Sequence, residues 1–217
     1  MKTENSTINF YHLVILDASG SMDCIRKQAL NGCNETLQSI RSMQNNNSGQ
    51  QHFVTLLTFN SEQPGNYVYD NLPALEAQDM KISDYKPDSC TPLFDAVGFS
   101  LTHLQSKTRN TGHNEVLVTI ITDGEENSST VFDAKKIKSL INELKQKGWT
   151  FAFIGANIDE KAAAESIGIH NTMAFEQTAE GASKMFRKLN KARMNYCMAA
   201  PCMTAQDRET RFFDTDD

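Results

Sequence analysis

Two rhythms of apolar and polar positions run through this chain. Predominantly apolar runs at residues 13–16, 53–59, 116–121 and 151–154 have the length of strands buried on both faces, and a weaker one spans 172–175. Between them apolar residues recur at helical spacing. Ile25, Ala29, Cys33, Leu37 and Ile40 form one stripe and Leu93, Val97, Leu101 and Leu104 a second. Ile137, Leu140, Ile141 and Leu144 form a third, and Ala182, Met185, Leu189 and Ala192 a last one. Strand and helix therefore alternate, the pattern of right-handed crossover units. The expected fold is α/β and doubly wound, a mostly parallel six-stranded sheet with helices on both faces. Segment 67–72 follows Gln63-Pro64-Gly65-Asn66 too closely for a crossover helix, so it is expected as one antiparallel edge strand.

The polar stretch at 44–51 reads as an exposed loop between the first helix and the second strand. Residues 1–196 are expected to form one domain. After the last stripe the pattern decays, and 197–217, ending in Asp214-Thr215-Asp216-Asp217, is expected to be an acidic, flexible tail. A chain of 217 residues with 39% hydrophobic content can bury a full core. Its net charge of -6 argues against nucleic acid and acidic membranes as partners, because both recruit positive fields. No apolar stretch approaches the length of a bilayer span, and no export signal is visible. The five cysteines, Cys24, Cys33, Cys90, Cys197 and Cys202, lack C-x-x-C spacing, so reduced thiols in a cytoplasm are expected.

The candidate chemistry sits where strands stop. The first run ends in Asp17-Ala18-Ser19-Gly20-Ser21-Met22, a carboxylate followed by two hydroxyls, and the third ends in Asp123-Gly124. In parallel sheets ligands gather at the carboxyl ends of strands, so both aspartates fall where a ligand is expected. Thr91-Pro92 opens the helical pattern between them. Alternate side chains at i, i+2 and i+4 converge within a turn, and Gly20 permits backbone angles that other residues resist. Asp17, Ser19, Ser21, Thr91 and Asp123 thus offer only oxygen, the donor preferred by a hard dication such as Mg²⁺, with Mn²⁺ or Ca²⁺ as alternatives.

The three segments Asp17-Ala18-Ser19-Gly20-Ser21-Met22, Thr91-Pro92-Leu93 and Ile121-Thr122-Asp123-Gly124 resemble the three loops of a von Willebrand factor type A (vWA) domain over roughly residues 8 to 195. The resemblance implies that these five positions form a metal-ion-dependent adhesion site, with the serines and threonine bound directly and the aspartates partly through water. It also implies a sixth coordination position filled by water or by a partner protein's Asp or Glu. Neutral hydroxyls leave the ion's charge incompletely neutralised, so an incoming carboxylate is attracted strongly. The short Asp-x-Ser-Gly-Ser-Met form looks most like intracellular bacterial stand-alone domains, which often work beside ATPases. By that analogy an ATPase partner is an expectation. The reading is a noncatalytic protein-binding module.

The enzymatic alternative is Mg²⁺-dependent phosphoryl transfer with Asp17 as nucleophile. It lacks an acid, because position 19 is Ser where a haloacid-dehalogenase-like site would need a second Asp. No phosphate-cradling loop and no G-x-S-x-G elbow occurs. Weaker features receive bland readings. Glu125 and Glu126 read as a solvated loop, Asp95 as structural, and the face of Lys184, Arg187, Lys188 and Lys191 as plain surface. The five histidines show no paired spacing, and core filling accounts for most of the nine methionines.

Overall fold

The computed structural model describes residues 7–108, 113–156 and 159–214. Strand β1 (Ile8–Asp17) leads through a 3-10 turn into α1 (Arg26–Asn46), then β2 (Gln50–Phe59) and β3 (Asn66–Pro73). Helix α2 (Leu93–Thr108) precedes β4 (Asn114–Thr122), and α3 (Ala134–Gln146) precedes β5 (Thr150–Gly155). The chain continues through α4 (Glu160–Ser166), β6 (Thr172–Ala174), α5 (Ala179–Ala199) and α6 (Ala205–Thr210).

The six strands order as β3-β2-β1-β4-β5-β6, and only β3 runs antiparallel to its neighbour. The doubly wound sheet with one antiparallel edge follows the periodicity. β1 lies at the centre, and the strand order reverses between β1 and β4, so the crevice beyond their carboxyl ends is the switch point where such sheets bind ligands.

Successive side chains of a strand point to opposite faces, and here both faces are covered. Val14 and Leu16 pack under α1 and α5, whereas Leu13 and Ile15 pack under α2 and α3. The apolar run without alternation therefore encodes a two-sided core. α1 and α5 approach closely because Gly32 lets the Phe186 ring sit against its backbone; a Cβ there would lie 2.1 Å from that ring. Both residues are buried. Gly32→Ala is accordingly expected to destabilise the fold by about 1–3 kcal/mol through overpacking, read from urea unfolding. An unchanged midpoint would mean the helices can slide apart freely.

Residues 197–214 differ from the flexible tail that their composition suggests. α5 continues to Ala199, and α6 returns the chain to the sheet. The Arg208 guanidinium donates to both carboxylate oxygens of Glu115 on β4 at 2.5 and 2.9 Å, and Phe212 is buried beside Tyr196. One bidentate ion pair and one aromatic anchor were invisible to periodicity because α6 is barely two turns long. Residues 215–217 lie outside the described residues.

A polar network crosses the core beneath α5. The Nη1 of Arg193 is 3.2 Å from Nδ1 of His12, and Nε2 of His12 is 3.0 Å from Nδ1 of His52. Nε2 of His52 is in turn 3.2 Å from Gln50 Oε1. A guanidinium can only donate, so each tautomer follows: His12 carries its proton on Nε2, and so does His52. Burial pushes the His52 imidazole down from 6.5 to about 4, and burial together with Arg193 holds His12 well below its ordinary value. The unfolded chain takes up these protons near pH 6.5 and the native state does not. The contribution of these histidines to stability should therefore fall as pH drops from 6.5 toward 4, by roughly 3 kcal/mol for His52 alone. A difference in stability between wild type and His52→Gln that stays constant across this window would refute the buried neutral relay.

Candidate metal centre

The site is built at the switch point from four loops. β1 ends at Asp17, whose carboxylate is fully buried; its Oδ1 accepts the Ser19 backbone N–H at 2.6 Å and its Oδ2 the Thr122 hydroxyl at 2.5 Å. The first bond folds the turn after β1 back on itself, and the second ties β1 to β4 across the reversal. The Tyr85 hydroxyl donates to the Asp17 carbonyl at 2.7 Å, fixing the same residue from the loop before α2.

The remaining oxygens close the cluster. Ser19 Oγ and Ser21 Oγ are 3.2 Å apart, and Ser21 Oγ donates to Asp123 Oδ1 at 2.7 Å. Thr91 enters from the side. A Cβ built on Gly124 would lie 3.3 Å from Thr91 Oγ1 and 3.9 Å from Ser21 Oγ, so Gly124 is the point over which these hydroxyls meet. Asp17, Ser19, Ser21, Thr91 and Asp123 are thus brought to one rim, with Asp17, Ser19, Thr91 and Asp123 buried.

Thr91 is held by reciprocal bonds with Asn127: its N–H donates to Asn127 Oδ1 at 2.8 Å, and Asn127 N–H donates to its carbonyl at 3.2 Å. The loop carrying Asn127 is itself stapled by two carboxylates. Glu126 accepts from the N–H groups of Ser128, Ser129 and Phe94 and from the Ser129 hydroxyl, all at 2.6–2.8 Å. Asp95 accepts from the N–H groups of Thr130, Val131 and Phe132. Burial acts to raise the Asp95 carboxyl, but these three donors outweigh it and hold the group below its usual range. Asp95 is structural, tying the 130–132 segment to α2. Glu126 is more than a solvated loop residue, because it joins the Asp123 loop to the start of α2.

Asn127, Tyr85 and Gln177 went unnoticed in the sequence. Gln177 precedes the Thr178 cap of α5, and its Nε2 donates to Asp123 Oδ2 and to the Ser21 carbonyl, the latter at 2.8 Å. The one available signal was position, just beyond the carboxyl end of β6, where its loop must face the same crevice.

The electrostatics of this donor set suit a cation. Asp17 and Asp123 form no ion pair with any basic side chain among the described residues. Burial pushes Asp17 up from 3.8 to about 6 against the hydrogen bonds that oppose it, and burial also raises Asp123. Buried carboxylates are ordinarily neutralised by a partner charge or a metal. Two carboxylates and three hydroxyls fit a hard dication, which they could hold with water completing the shell.

Among the described residues one other cluster has metal-binding residue types, His12, His52 and Cys197 in the core. It does not fit. With Arg193 donating to His12 Nδ1, the facing imidazole nitrogens are already engaged as donor and acceptor to one another. A cation would also lie beside a buried guanidinium.

The von Willebrand factor type A domain model matches residues 13–191. The chain belongs to this family. Among solved structures, the vWA domain is similar to manganese-loaded TRAP from Plasmodium vivax, at 16% identity and a TM-score of 0.51, covering 83% of this chain and 72% of that one. It is also similar to proximal thread matrix protein 1 of the mussel byssus with a zinc-occupied MIDAS motif, at 14% identity and a TM-score of 0.59, covering 83% and 47%. The vWA protein of Catenulispora acidiphila matches at 15% identity and a TM-score of 0.51, covering 85% and 42%. In the latter two matches the chain spans less than two thirds of the other protein. At these identities the likeness shows the fold. The comparison with curated protein sequences returns no match. No helix among the described residues is long and apolar enough to cross a membrane.

Proposed function

We propose that this vWA domain is a noncatalytic, cytoplasmic binding module that holds Mg²⁺ through Asp17, Ser19, Ser21, Thr91 and Asp123 and recognises a carboxylate of a partner protein. The observation that carries this reading is the pair of buried carboxylates, Asp17 and Asp123, clustered with three hydroxyls and forming no ion pair with a basic side chain among the described residues. Domains of this family act generally as interaction modules, and two of the structural neighbours are described as manganese-loaded and zinc-occupied. When bound, the dication would supply an electrophilic corner for an anionic ligand. The residues of this chain would orient it: Thr122 and the Ser19 N–H fix the Asp17 carboxylate, Asn127 fixes Thr91, and Glu126 fixes the loop bearing both Asn127 and Asp123.

The phosphoryl-transfer alternative is disfavoured by the same bonds. Both Asp17 oxygens already accept a hydrogen bond and the residue is fully buried, which suits a positioning anion better than an attacking nucleophile. The test is affinity capture from native lysate in Mg²⁺ followed by chelator elution. Proteins that leave with chelator and are not captured by Asp123→Ala support the reading. Capture indifferent to chelator, or phosphate release from a phosphomonoester that Asp17→Asn abolishes, would contradict it.

A further inference from the structure

Beside the oxygen cluster, between the Asp123 loop, the start of α2 and α4, lies a second concavity of about 220 Å³. Its walls are apolar, built from Leu93, Phe94, Ala162 and Ala163. Its remaining lining includes the exposed carboxylates Glu125 and Asp159 and, among the described residues, no basic group. Gly124 belongs both to this lining and to the rim where Thr91 and Ser21 meet, so the cavity adjoins the proposed metal centre. Glu126 also contributes, but its carboxylate is committed to the loop and α2.

We infer that this cavity is a docking pocket for a lysine or arginine side chain from the same partner segment whose Asp or Glu reaches the metal. The inference rests on the metal-site reading and narrows the partner to a segment carrying both an acidic and a basic residue. The chemistry is complementary in both parts. A long basic side chain buries its methylene stem along apolar walls while its charged head stays at a wet, polar edge, and here that edge carries Glu125 and Asp159. A purely aliphatic occupant would leave two carboxylates partly desolvated without compensation. An acidic occupant would meet like charge. The dication next door neutralises the partner's carboxylate, so the neighbouring surplus of negative charge on this chain is left to select a cation.

The test uses the full chain labelled with ¹⁵N and a family of capped peptides carrying Glu and Lys at successive spacings, each matched by a peptide with norleucine in place of Lys. Magnesium is titrated first, and amide shifts at Ser19, Ser21 and Asp123 report the metal site independently. With Mg²⁺ present, at least one Glu–Lys spacing is expected to bind about threefold to fivefold more tightly than its norleucine partner, with amide shifts at Gly124, Glu125, Ala162 and Ala163. The double variant Glu125→Gln, Asp159→Asn keeps the helix cap, because Asn caps as well as Asp, and should erase that preference while leaving the magnesium shifts in place. Magnesium shifts without any preference for Lys over norleucine, including no peptide binding at all, overturn the pocket and leave the metal reading standing. Absence of magnesium shifts at the cluster overturns both.

Discussion

Asp17→Asn should make the metal-free protein more stable at pH 7 while removing its response to magnesium. The buried carboxyl titrates at about 6 in the native state against 3.8 when exposed, so its contribution to stability is fully present below pH 3.8 and is lost as pH rises through 6. At neutral pH the buried anion therefore costs roughly 3 kcal/mol, the equivalent of a two-unit shift. Asn removes that cost and is nearly isosteric. Its Oδ1 can still accept from Ser19, and its amide can donate to the Thr122 hydroxyl, so the local bonds survive. The lost charge is the attraction for a dication, and Mg²⁺ affinity should fall on the order of 100-fold or more. Thermal melts with and without magnesium read both effects. A melting temperature that drops in the metal-free variant, or a magnesium-induced rise that persists, would contradict the assignment of Asp17 as a buried anion awaiting a cation.

The second large effect is expected at Glu126, which touches none of the candidate ligands. Glu126→Ala deprives three backbone N–H groups and one hydroxyl of their acceptor. Water can reach part of this loop, so the loss should be about 2–4 kcal/mol, below the sum for four fully buried donors. More telling is the expected effect on the metal. Without Glu126 the loop can swing away from α2, taking Asn127 from Thr91 and shifting Asp123. Magnesium affinity should fall about 10–100-fold, as for loss of an outer-shell partner. Glu125→Ala, one residue earlier, should leave magnesium affinity unchanged. Equal effects of the two variants by calorimetric titration would show that the loop is positioned by something other than these hydrogen bonds.

Much of this architecture was legible in the residues because burial on two faces leaves a plain mark. The run 13–16 is apolar at every position since Leu13 and Ile15 meet α2 and α3 while Val14 and Leu16 meet α1 and α5. The same run stopping at Asp17 announced the carboxyl end of a central strand. The five candidate oxygens were legible for a related reason: each follows a strand end or opens a helix, so topology places them together without any knowledge of side-chain contacts.

The positioning residues were opaque. Tyr85, Asn127 and Gln177 act through one or two hydrogen bonds each from irregular loops, and an Asn or Gln in a loop carries no periodic signature. Glu126 looked like solvated charge because sequence shows its polarity and hides the N–H groups that converge on it. The chain's end was hidden by the opposite problem. Acidic composition suggested disorder, whereas residues 197–214 are tied to the sheet by a long-range ion pair between Arg208 and Glu115 and by one buried ring, Phe212.

The most direct measurement is a crystal structure of the chain soaked in Mn²⁺, with the ion located from its anomalous scattering. One peak is expected at the rim, about 2.1 Å from hydroxyl oxygens of Ser19, Ser21 and Thr91, with Asp17 and Asp123 close by or bridged through water. A peak confined to the His12–His52–Cys197 cluster, or no peak near Gly124 at saturating manganese, would contradict the central claim.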